Sequence, residues 1–325
     1  MLIEILLQDK IEGKVFDISE IVDTITYETS ILSQPGKLTF SMKEDAVITL
    51  NEGSIISVKI DGIGIFFGYL FRYVINDSGK MAGIAYDQTR YLKNKDTYVT
   101  SNQTASQVFA RICADFKLQH KIIDPSTYIL PARIHDNKTL FEIVQHGIDT
   151  TLINSGKWYL LRDNFGTLEF VDIERLKTLV YIGDKYNLID YTYESSIDQD
   201  SYNQVKLIKN NQTDAKREIY IVKDSVNIGR WGLLQYFEAM DENANEAQIK
   251  ARAEQLLKLK NRATKKLKIN AVGNLTVMAG SGVIIGIDDL TQYGIPYNKY
   301  FMVSTCVHKF ANNYHEMQLE LQVIT

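Results

Sequence analysis

The sequence predicts a mainly β protein with an α+β segment between two β-rich ends, and three observations carry that reading. Short runs of alternating apolar and polar residues, separated by turns rich in Gly and Asp, fill residues 1–90 and return from residue 187 onward. Helical spacing is confined to residues 104–152 and to one long stretch at 241–261. Tyrosine is abundant, with 19 copies against 2 Trp and 13 Phe, while proline is scarce at 4. A Tyr ring buries area while its hydroxyl stays wet, which suits half-buried sheets and contact surfaces.

Taken in order, residues 2–7 form an apolar strand, 24–31 a mixed one, and 36–42 a strand with Leu38 and Phe40 facing inward. Two strands at 55–60 and 65–75 flank Asp61-Gly62, a dipeptide that favours a tight hairpin, and a last strand follows at 81–86. Several short strands without a long helix predict an antiparallel barrel or sandwich over residues 1–90. The pattern then changes. Thr104 is placed to cap a helix over 105–116, with Val108, Ile112 and Phe116 on one face. Thr139 with Glu142 three residues on makes a capping box for a second helix reaching about residue 152. Two strands around Gly166 complete an α+β segment, 91–180. The second β segment, 181–325, holds strands near 188–196, 202–210 and 217–224, the long helix, and strands up to Val323. The helix has an apolar stripe of Ala247, Ile249, Ala253, Leu256, Leu257 and Leu259 and reads as lying on a β surface.

With 325 residues, 45% hydrophobic and 23% charged, the chain has the composition of a folded protein with room for two or three domains. A formal net charge of −4 gives no basic field to hold nucleic acid, so specific nucleic-acid binding is not expected. Cys113 and Cys306 read as small buried apolar groups rather than a disulfide or a nucleophile. The N-terminus has no basic segment and too short an apolar run for a signal or membrane span, so no membrane partner is expected and a cytoplasmic chain is.

The two β-rich ends share an order of features: strand, Gly-marked turn, strand, longer strand, turn, strand. GKLTFS, LNEGSIISVKI, IFFGYLFRYVI and KMAGIAY near the start answer to KKLKIN, VMAGSGVIIGI, YFMVSTCVHKF and HEMQLEL near the end. Two similar β domains on one chain, repeated three times around an axis, would make a pseudo-sixfold ring from a trimer.

No catalytic, cofactor-binding or metal site is expected, and each candidate has a plainer reading. The glycines of residues 61–68 lead into a strand rather than a helix N-terminus, so no phosphate cradle forms. His308 and His315 flank one turn, but only Glu316 and Glu320 lie near them, and a metal needs three or four donors. His120, His135 and His146 lack ligand spacing, and Asp288 with Asp289 reads as a turn. Glu194, Asp198 and Asp200 form an acidic loop; paired carboxylates serve hydrolysis only across a cleft of set width. In the long helix, acids early and bases late (Lys250, Arg252, Lys258, Lys260) complement its dipole, with Glu254 and Lys258 as an i, i+4 pair.

Several stretches then resemble a known family: YESSIDQDSYNQV, IGRWGLLQYFEAMDENANEAQIKARAEQLLKLKN, KLKINAVGNLTVMAGSGVIIGI and DNKTLFEIVQHGIDTTLINSGKWYLLRDNFGTLEFVDI. They look like the XkdQ-type, late-control-D-like baseplate hub proteins of contractile phage tails, defective prophages and R-type bacteriocins. The resemblance covers residues 104–325 well and the first hundred by pattern. It implies two tail-tube-like β domains and a trimeric, non-enzymatic hub in the tail particle. The implied partners are a further two copies, the tail tube protein, the central spike protein and other baseplate components. No hydrolase module follows the last strand, so lytic work is expected of a separate partner. A spike-associated carbohydrate-binding protein and a cell-wall hydrolase stand as alternatives.

Overall fold

The computed structural model describes residues 1–31, 33–43, 45, 48, 50–211, 216–240, 245–311 and 314–322. Its contacts divide the chain into two compact units, Met1–Thr192 with Lys268–Thr325, and Tyr193–Leu267.

The first unit starts with β1 (Ile3–Gln8), β2 (Val15–Asp17), β3 (Val22–Ser30), β4 (Lys37–Lys43), β5 (Ile55–Ile60), β6 (Ile63–Ile75) and β7 (Lys80–Tyr86). They pair in the spatial order β3-β4-β7-β6-β5-β1-β2. Asp61 (φ 49°) and Gly62 (φ 80°) both take positive φ, as a tight hairpin at this dipeptide requires, and Asp61 Oδ1 accepts from Leu2 N at 2.6 Å. Alternation puts Leu38, Phe40, Met42, Ile56, Val58, Ile60, Phe66 and Leu70 in one core.

A second core lies C-terminal to β7. It is built by β8 (Lys95–Thr100), α1 (Ala105–Asp115), β9 (His120–Ile122), β10 (Arg133–Thr139), α2 (Leu140–Ser155), β11 (Tyr159–Asn164) and β12 (Thr167–Asp172). Both helices start on full capping boxes, Thr104 with Gln107 and Thr139 with Glu142. Gly147 lets them cross closely: a Cβ there would sit 3.3 Å from that of Ala105. β11 and β12 form the expected hairpin, and β9 adds to β12 in parallel.

The chain then runs through β13 (Lys177–Gly183) and β14 (Leu188–Ser196) out of this unit. The second unit carries β15 (Gln204–Asn211), β16 (Lys216–Lys223), α3 (Ser225–Trp231), β17 (Gln235–Ala239) and α4 (Glu246–Lys260). β16 lies antiparallel and β17 parallel to β15. Ile249, Ala253 and Leu256 of α4 close a small core over Val205 and Leu207. The long helix thus packs on this local sheet and starts at an Asn245 cap with Gln248 completing the box; residues 241–244 lie outside the described part of the chain. No ion pair joins Glu254 to Lys258 among the described residues. The basic side chains of α4 instead reach Glu238, from Arg252 at 3.4 Å, and Asp200, from Lys260.

Through β18 (Thr264–Val272) the chain re-enters the first unit, followed by β19 (Gly282–Gly286), β20 (Lys299–Ala311) and β21 (Tyr314–Gln322). The order β14-β18-β21-β20-β19-β13 repeats β3-β4-β7-β6-β5-β1, except that β13 meets β19 in parallel where β1 meets β5 antiparallel. The long strands match in detail. Tyr69 of β6 pairs with both Ile55 and Tyr86, and Met302 of β20 with both Gly282 and Gln322. Two residues further on, each strand bulges against its hairpin partner, between Leu70 and Arg72 in one copy and Val303 and Thr305 in the other. The two copies join where β20 pairs with β3.

Candidate functional site

Most residues singled out from the sequence end in structural roles. His120 Nδ1 lies 3.1 Å from the Leu118 carbonyl, with its ring edge-on to Phe109. Glu320 pairs with Lys268 at 2.9 Å, Asp200 with Lys260, and Asp198 N bonds the Ser196 hydroxyl at 3.1 Å. Asp288 sits in a short 3-10 turn and its N–H donates to Asp184 Oδ2 at 2.9 Å. Cys113 and Cys306 are buried free thiols, and burial pushes the Cys113 thiol up to about 12. Among the described residues no group of three or more His, Cys, Asp or Glu is placed to hold a metal ion. Sequence spacing did not reveal the contact of His135 with His146, whose rings lie 5.2 Å apart because α2 follows β10 directly.

His308 and His315 do meet. They form a chain: His315 Nε2 lies 2.9 Å from His308 Nδ1, and His308 Nε2 lies 2.8 Å from the Val277 carbonyl, which only accepts. This network assigns the proton of His308 to Nε2, leaving Nδ1 to accept from His315. Cys306 Sγ is 3.3 Å from the same Nε2. A nucleophilic Cys–His pair needs a low thiol pKa and a nitrogen free to take the proton. Burial here raises the Cys306 thiol and lowers His308, while Nε2 is already committed. His315, half buried against His308 and stacked on Phe310 at 4.3 Å, is lowered to about 4. The cluster is a neutral packing element.

The strongest electrostatic feature of the first unit is a pair of buried carboxylates that sequence reasoning did not single out. Asp87 follows β7 and caps a 3-10 turn by accepting from Thr89 N at 2.9 Å. Asp163, on β11, accepts from Gly166 N at 2.7 Å, while its Oδ2 has no hydrogen-bond partner. Both are less than a tenth exposed and share a crevice with Tyr27, Thr29, Arg162 and Met278, where both β copies and the α+β segment meet. Burial first, and the neighbouring Asp163 charge second, push Asp87 well above the carboxylate range; burial lifts Asp163 to about 6. Gly36 leaves room for the pair: a Cβ there would fall 2.1 Å from Asp87 Oδ2. Two carboxylates buried in one crevice titrate as a pair, each making the other harder to ionise.

With fold and clusters established, comparison with known proteins identifies the lineage. A family model described as YQBQ-like matches residues 25–322. The chain belongs to the YQBQ-like family. Among curated relatives, the phage-like element PBSX protein XkdQ of Bacillus subtilis (strain 168) is 29% identical over 297 residues, which cover 90% of this chain and 86% of that protein. The 43 kDa tail protein of prophage MuSo2 from Shewanella oneidensis superposes with a TM-score of 0.71 at 17% identity, covering 98% of both chains. The E. coli c3393 protein, a type VI secretion component described as structurally similar to the T4 bacteriophage tail proteins gp27 and gp5, gives a TM-score of 0.57 at 12% identity. That match covers 94% of this chain and 74% of the other. At such identities the structural likeness concerns the fold: this YQBQ-like protein has the fold of phage tail proteins.

Proposed function

We propose that this YQBQ-like protein is a non-enzymatic baseplate hub: a homotrimer that joins a hexameric tail tube to a central spike and lines the channel between them, assembled in the host cytoplasm and carried in the tail particle. The observation that carries the reading is the duplicated meander, with its matching strand order and matching bulge in the two long strands. Three chains with two wall units each present six similar units to a sixfold ring while offering threefold symmetry to a spike. In this reading residues 1–90 and 181–325 supply the two units and 91–180 the α+β part between them. The likeness to a secretion-system protein described through gp27 and gp5 favours the same role. Channel-facing strand surfaces are expected to be polar or acidic, so that a passing polyanion does not adhere. Three copies per assembled baseplate, counted by quantitative mass spectrometry against tube and spike proteins, is the expected result; six copies would remove the adaptor reading.

A further inference from the structure

The two copies of the meander do not end alike, and the difference assigns an interface. In the second copy, residues 305–311 of β20 have β21 on one edge and β3 on the other. In the first copy, the equivalent part of β6, residues 72–75 beyond the bulge, has β7 on one edge; β5 stops at Tyr69 on the other. The strand equivalent to β3 is β14: each pairs with the strand that opens its copy's meander, β3 with β4 and β14 with β18. Their sequences agree as well, TYETSI at 26–31 and TYESSI at 192–197, with five of six residues identical. Yet β14 ends the sheet among the described residues, while β3 is covered on both sides. Among the described residues, one chain therefore carries a filled β20–β3 seam and both halves of a second, unfilled one.

Burial follows the same division. His308 is 3% exposed, whereas its counterpart Ile75 is 46% exposed and Val74 beside it 47%. Ile25 and Tyr27 of β3 are buried, while the corresponding Tyr191 and Tyr193 of β14 are half-buried. An apolar, uncapped strand edge invites pairing with another chain unless something covers it.

We infer that β6 of one copy pairs antiparallel with β14 of the next, continuing the sheet from chain to chain in the register of the β20–β3 seam. In that seam Thr305 stands opposite Ser30 and Val307 opposite Glu28, and Ile31 N donates to the bulge carbonyl of Ser304 at 3.0 Å. Transferred, Arg72 stands opposite Ser196 of the next copy, Val74 opposite Glu194, and Ile197 N donates to the carbonyl of Phe71. The contact is head-to-tail, so it closes a ring when the rotation per copy fits and otherwise grows open. The seam itself rests on the duplication; only the closure at three copies rests on the hub reading.

The test is cysteine pairing in the full-length chain, concentrated in solution and in assembled particles, with copy number read by mass photometry. Cys113 and Cys306 are buried and leave the readout to the introduced thiols. The variant V74C/E194C, mildly oxidised, is expected to give linked dimers and linked trimers on non-reducing gels, whereas V74C or E194C alone gives no trimers and V74C/S195C, one residue out of register, links weakly. Trimers without cross-linking would overturn the seam and leave the hub intact. Linked ladders running past three would keep the seam and overturn closure at three. No linked species under any condition would count against the seam. V74K/I75K, which changes exposed positions, is expected to melt like the parent and fail to assemble; normal assembly of that variant would overturn the proposal.

Discussion

Asp163 is the residue at which the fold's electrostatics should be measurable. Its folded pKa lies at about 6, above the ordinary carboxylate value, so the folded chain binds that proton more tightly than the unfolded one. The resulting stabilisation is full below about pH 4 and is lost as pH rises through 6. Asp163→Asn retains an acceptor for Gly166 N and removes the buried charge, so it should stabilise the protein at pH 7 by on the order of 2 kcal/mol. That gain, followed by urea titration, should shrink towards pH 4; a pH-independent loss would show the carboxylate to be favourable there. His315 acts in the opposite sense. Its pKa is depressed to about 4, so the stability it supports is present above 6.5 and lost as pH falls towards 4. His315→Gln should flatten the acid limb of a melting-temperature profile while leaving the Asp163 limb. Gly36→Ala places a methyl group against Asp87 and should cost about 1–3 kcal/mol.

At the scale of elements, the Thr104 cap, the Thr139–Glu142 capping box and the Asp61-Gly62 hairpin were legible because their chemistry is local: the side chains that fix the backbone lie within three residues of one another. Thr139→Ala should cost about 1 kcal/mol in a thermal melt, since a buried helix would lose its N-terminal acceptor. β8 and β10 were not legible. KDTYVT and RIHDNKT are polar, form only a two-stranded sheet, and owe their pairing to α1 and α2 packed beside them. The three-residue strand β9 exists only through its parallel pairing with β12, which no local pattern announces. α4 was visible as a helix lying on a β surface, and the structure supplies that surface as the local sheet of β15 and β16. Ile249→Ala opens the small core of the second unit and should lower stability by about 2–5 kcal/mol, read by hydrogen exchange confined to residues 193–267.

At the scale of the molecule, the mainly β class and the repeat were readable from turn spacing, and the structure gives the repeat its strand order and its shared bulge. The clearest sequence echo, TYETSI with TYESSI, was hidden because residues 193–267 interrupt the second copy just where β3 leads into β4 in the first. The acidic crevice was invisible for a related reason: Asp87 and Asp163 lie far apart in sequence, and only tertiary packing between different sheets brings them into one crevice. An assembly built from duplicated units draws its symmetry from the count of chains, so that count tests the account most directly. Cross-calibrated mass spectrometry of purified tail particles should find three copies of this chain per baseplate; six copies, or a variable number, would contradict it.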